Sequence, residues 1–191
     1  MNWYKKIAQN IYQQYVDLGD QAQMITITGT GQNENVNIPG TSININASEL
    51  LEKAKMQIAP ALIQNGVREI DTSPIADMGA QGLAISHEPG KIHIDVQKIF
   101  QNAKSALPPT VQFDGTEVDP DMVSHVVNQV ATWLYSELIG TIAHESQHAS
   151  DFSDVAQQRG EFTSVQEHPA EQFQQQVQQQ YTQPFARNLP Y

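Results

Sequence analysis

The sequence predicts an α+β chain, a small twisted sheet backed by helices. Two patterns predict it. Short alternating segments rich in β-branched residues, such as "QMITITGT" and "KIHID", fall in the first hundred residues. Apolar residues at three- and four-residue intervals dominate from Met122 to Ala143 and again from Ala170 to Tyr181. The order is helix, strands with one helix, hairpin, then helices.

Each element has a local reason. Ile7, Ile11, Tyr15 and Leu18 share one face of an amphipathic helix over 1–20. A strand follows at about 23–28. "GTGQNENVNIPGTS" reads as an exposed loop, and "SININ" as a short strand. Asn46 with Glu49 three residues later resembles a helix start, and Leu50, Leu51, Ala54, Ile58, Ala61 and Leu62 stripe a helix over 47–64. Pro60 is expected to kink or split it. "VREID" (67–71) is a strand. "LAISHEPGKIHIDV" is a hairpin, 83–87 with 91–95. Asp95 caps a helix over 96–106, which Pro108 and Pro109 end. Asp119-Pro120 opens one long helix to about 150, or two broken near Ser136–Gly140. Ala170, Phe173, Val177 and Tyr181 place the last helix on the core, with a glutamine-rich face outward.

Length and charge exclude several classes. The 191 residues suit a single domain over 1–191. The net charge is −11 with no lysine or arginine cluster, which argues against nucleic acid or an anionic membrane as partner. No apolar run is long enough to span a bilayer, and the N-terminus lacks a signal-peptide core, so a soluble and by default cytoplasmic chain is expected. There is no cysteine, so any metal must be held by histidine and carboxylate.

One stretch carries chemistry. "TIAHESQHASDF" sets His144 and His148 four residues apart on a helix. Those side chains lie one above the other, so both imidazoles can meet one ion. Glu145 projects about a quarter-turn away, where it can reach a water on the ion without being a ligand, as a general base must. A third ligand is needed, and three residues compete: Glu167, Glu171 and Asp154. The last matches an extended pattern that requires a glycine at 151; this chain has Asp151. His87 and His93 flank the hairpin turn and read as outward-facing. His125 reads as a helix-surface or helix-packing residue, and Trp3 and Trp133 as core.

These residues resemble the gluzincin form of the zincin metallopeptidases, in which HExxH is followed by a glutamate on a later helix. "HESQHASD" with "EHPAEQF" is similar to the HExxHxxD … ExxAExF pattern of the anthrax lethal factor and Pro-Pro endopeptidase family. The likeness covers 144–173. It implies a minimal zincin-like fold, Zn2+ bound by His144, His148 and Glu167, Glu145 as general base, and Glu171 and Asp151 supporting the ligands from outside. It also implies a peptide or protein substrate, which could pair with a free edge of "KIHID". The chain departs from the family at Gly160, where a tyrosine steadies the oxyanion; Tyr181 and His168 are the replacements to consider. Pro169 requires the ligand helix to start near Gln166. The competing expectation is a non-catalytic zincin scaffold serving binding or structure.

Overall fold

A computed structural model describes Gln13 and residues 16–39, 41–76, 80–85, 87–107, 120–155 and 167–187, with backbone only at 120–122 and 151–155. Residues 16–23 are helical (α1), so the first helix runs further than its apolar spacing predicts and takes Gln23 from the expected strand. Ala22 is what holds that last turn, buried in the core. Ile7, Ile11, Tyr15 and Trp3 lie outside the described residues.

Strand β1 (Thr26–Thr28) leads into a 3-10 turn at Thr30–Asn33. Next come β2 (Asn35–Asn37) and β3 (Asn44–Asn46), an antiparallel pair standing apart from the main sheet. Strand β2 lies in what the sequence suggests is an open loop, while β3 falls on the short strand expected at "SININ". Val36 and Ile45 face inward, while Asn35, Asn37, Asn44 and Asn46 face solvent. Asparagine has low strand propensity, which hides the alternation.

Helix α2 (Ala47–Gln64) has its expected bounds and continues through Pro60. Pro60 lies on the exposed side, and the carbonyl deprived of a partner belongs to Met56, itself 44% exposed, where solvent reaches it. Asn46 occupies the N-cap position without a side-chain cap bond. It is already the last residue of β3, opposite Asn35.

The remaining strands are β4 (Glu69–Asp71), β5 (Gly82–Ala84) and β6 (Lys91–Ile94). The sheet order is β1-β4-β6-β5. The β1–β4 and β4–β6 pairs are parallel, and β6–β5 is antiparallel. Strand β6 is therefore flanked on both sides, and "KIHID" offers no free edge; the edges are β1 and β5, and β5 is the one against α4. Local alternation marks a strand but does not rank it in a sheet, which is why the sequence misplaces the edge. Between β5 and β6 the chain turns through Gly90 at φ 81, a left-handed value that favours glycine.

Helix α3 (Val96–Ala106) starts where Asp95 accepts from the Lys98 N–H at 2.9 Å. Helix α4 (Pro120–Val155) is one continuous rod of 36 residues, about 54 Å long. Helix α5 (Glu167–Arg187) packs along it. Pro169 falls in the first turn of α5, where its missing N–H would be unpaired in any case.

The inner face of the sheet, with Ile70, Ile92 and Ile94, packs with α2, α3 and α4. Leu51, Leu62, Phe100, Leu138, Ile139 and Ile142 fill the space between and are each fully buried. Each such side chain contributes roughly 1.5–3 kcal/mol. Residues Leu138–Ala143 are buried all the way round, because α4 runs through the middle of the molecule. This explains their unbroken apolar character. Trp133 departs from the expected core placement. It is 40% exposed and lines a groove with Ala103, Leu107 and Val130.

Candidate metal centre

Apolar packing carries α4 through the interior and delivers three polar residues at its far end. His148 and Glu145 are buried, and His144 is partly buried. The i, i+4 spacing brings His144 Nε2 and His148 Nε2 to 3.0 Å from each other, with the rings at 74°. Glu167 reaches them from the first turn of α5. Its Oε2 lies 3.5 Å from His144 Nε2, and its Oε1 lies 3.5 Å from His148 Nε2.

Two close imidazole nitrogens facing a carboxylate suit a cation. Donor atoms sharing one tetrahedral ion with bonds of roughly 2.0–2.1 Å stand about 3.3 Å apart. The observed 3.0 and 3.5 Å bracket that spacing. His144, His148 and Glu167 are the one group of three among the described residues with metal-holding geometry. No lysine or arginine among those residues pairs with Glu167. The Glu167 side chain is 48% exposed, so the group opens to solvent on the α5 side.

Glu145 stands apart from the three. Burial pushes its carboxyl up to about 8, and the charge of Glu167 adds to the shift; a backbone hydrogen bond from Ala84 in β5 partly offsets it. The would-be base is thus anchored to the sheet edge while the ligands are shared between the two helices.

Contacts that no local pattern announces hold this arrangement. Ser146 Oγ donates to the Ala143 carbonyl at 2.8 Å and accepts from Asn65 Nδ2 at 3.2 Å, tying the end of α2 to the motif. Gly140 lets α5 approach. A Cβ there would lie 2.5 Å from Gln178 Nε2, which donates to the Ser136 carbonyl at 3.0 Å. Further along, Tyr135 and Phe185 stack with centroids 4.0 Å apart. A lone glycine inside a helical pattern is the only sequence signal for any of these.

The other candidates fall as follows. Glu171 is exposed, one turn beyond Glu167. Asp151 and Asp154 lie in α4, but their side chains are outside the described residues, as is Gly160. Tyr181 is fourteen residues from Glu167, about 21 Å along the helix, which removes it as an oxyanion partner. His168 is exposed, 3.0 Å from the Gln172 amide. His87 and His125 are exposed, and His93 lies on the outer face of the sheet. No helix among the described residues is long and apolar enough to cross a membrane.

Comparison with family profiles, with characterised proteins and with solved structures finds no match for this chain.

Proposed function

We propose that this chain is a zinc-dependent peptide hydrolase of gluzincin type. The observation that carries the reading is the meeting of His144, His148 and Glu167, from two helices, beside a separate buried carboxyl, Glu145. His144 and His148 would bind as neutral imidazoles through Nε2, and Glu167 as carboxylate. When bound, zinc supplies a Lewis acid for the scissile carbonyl and lowers the pKa of a coordinated water to roughly 7. Glu145, ionised once the ion's charge offsets its burial, would take a proton from the attacking water and return it to the leaving amine. The water oxygen forms the new C–O bond as the C–N bond breaks.

The strand edge supports a peptide as substrate. The Asp95 N–H donates to the Gln81 carbonyl at 2.7 Å, which makes that pair hydrogen-bonded. By the alternation of an antiparallel ladder, Gly82 and Ala84 turn their amides away from β6. An extended chain could pair with the Gly82 amide beside the histidines, the Ala84 N–H being held by Glu145. The donor set would also accept manganese, iron or cobalt, so metal analysis comes first.

The test is metal content and peptide-library cleavage for wild type and Glu145→Gln. About one equivalent of zinc in both, with turnover only in wild type, is expected; loss of general-base help costs roughly 10²–10⁴-fold. A second reading, a non-catalytic metal-binding scaffold, has in its favour that Glu145 is only 7% exposed and held by Ala84. Zinc binding without any cleavage by wild type would establish that one instead.

A further inference from the structure

Gly82 belongs to the β5 edge and is buried beneath it, on the face turned to α4. Its backbone is not in the left-handed region; the positive-φ glycines are Gly29, Gly66 and Gly90. Conformation therefore does not require glycine at 82. Space does. A Cβ built there would stand 2.6 Å from Glu145 Cγ, 2.6 Å from Glu145 Oε1 and 2.8 Å from Thr141 Cγ2. Real Cβ atoms do not come so near, so something would have to shift. Thr141 and Glu145 are one turn apart on α4, and the strand crosses directly over that pair.

We propose that Gly82 is a positioning residue, whose missing side chain leaves the slot between β5 and α4 in which the Glu145 carboxyl sits. The base role given to Glu145 rests on the function proposed above; the slot does not. Two observations support the slot independently. One is the close approach at Gly82. The other is the Ala84 N–H, two residues on, which holds the same carboxyl. A side chain at 82 meets Glu145 Cγ and Oε1, so the carboxyl has to leave the slot and with it that amide. The backbone of α4 need not shift, so His144 and His148 keep their places. The expected signature is loss of turnover with retention of metal.

The experiment compares G82A with wild type, and the G82A/E145A double variant with E145A, all with zinc loaded. In G82A, zinc stays near one equivalent, kcat falls about 100-fold or more, and KM stays within about threefold. The unfolding midpoint falls by about 5 °C when Glu145 is present and by less than half of that when it is alanine; the remainder is the Thr141 methyl. A merely structural glycine would lower both backgrounds equally and leave kcat within threefold, and either result overturns the proposal. If G82A does not fold, folding of G82A/E145A supports the slot, and failure of both overturns it. Wild type that cleaves nothing, with the midpoints still coupled, leaves the slot standing and removes the hydrolase reading alone.

Discussion

Among the described residues, two groupings of histidine with carboxylate are wired differently. On the outer face of the sheet, Lys91 Nζ stands 3.6 Å from Glu69, 3.0 Å from Asp71 and 3.7 Å from Glu88. His93 faces Asp71 through Nδ1 at 3.5 Å and Glu88 through Nε2 at 3.1 Å, so its two nitrogens serve opposite partners. The negative charge there already has a resident cation. At the α4–α5 junction the two Nε2 atoms face each other and one carboxylate, and among the described residues no lysine pairs with that carboxylate. Histidines with acids are therefore not enough to mark a metal site. Donors that converge on one point are the mark.

The sharpest way to break this comparison is His148→Ala. Bound zinc should fall from about one equivalent to near zero by elemental analysis, while His93→Ala leaves it unchanged. Equal losses would show that the two groupings are alike. Chelation comes next. At free zinc about 1,000 times its dissociation constant, binding stabilises the fold by about 4 kcal/mol, worth roughly 10 °C in unfolding midpoint. Chelator should remove that increment from wild type and leave His148→Ala where it was.

Glu167→Ala should weaken zinc by more than about 100-fold in competition titration, and Glu171→Ala by no more than the roughly 10–100-fold that an outer partner costs. Full retention in the first and loss in the second would exchange their roles. The smallest effect belongs to the sheet face. Burial would raise the Asp71 carboxyl, but hydrogen bonds from the Ser73 side chain and N–H, and then Lys91, bring it down to about 2. A lowered carboxyl adds stability above its unfolded pKa and loses it as pH falls through the folded value. Asp71→Asn should therefore cost about 1–2 kcal/mol at pH 7 after solvent screening, a cost that vanishes between pH 4 and pH 2 in urea titrations. Zinc content should not change.

What could be read in advance was local. The His144–His148 pair needs only a helix, and its apolar approach foretells one. Asp95 caps α3 through a neighbour three residues away. Val177 and Ala170 mark the buried side of α5 because a stripe repeats. Placement of one element against another could not be read in that way. Nothing near Gly82 tells that Glu145 lies beneath it, and nothing near Gly140 tells that Gln178 crosses it. The edge passed from "KIHID" to β5 because strand order depends on the whole sheet. Val36 was obscured by flanking asparagines, Asn35 and Asn37, whose poor strand propensity outweighed the alternation. Glu167 came through likeness to a family pattern rather than through any periodicity of its own.

His148 and Glu167 are nineteen positions apart in the chain and close to touching in space. An ion gripping both would act as a buckle across that interval, fastening the end of one rod to the beginning of the next. Withdrawing it would let the opening turn of α5 peel first, while the stacked rings of Tyr135 and Phe185 kept the far end shut.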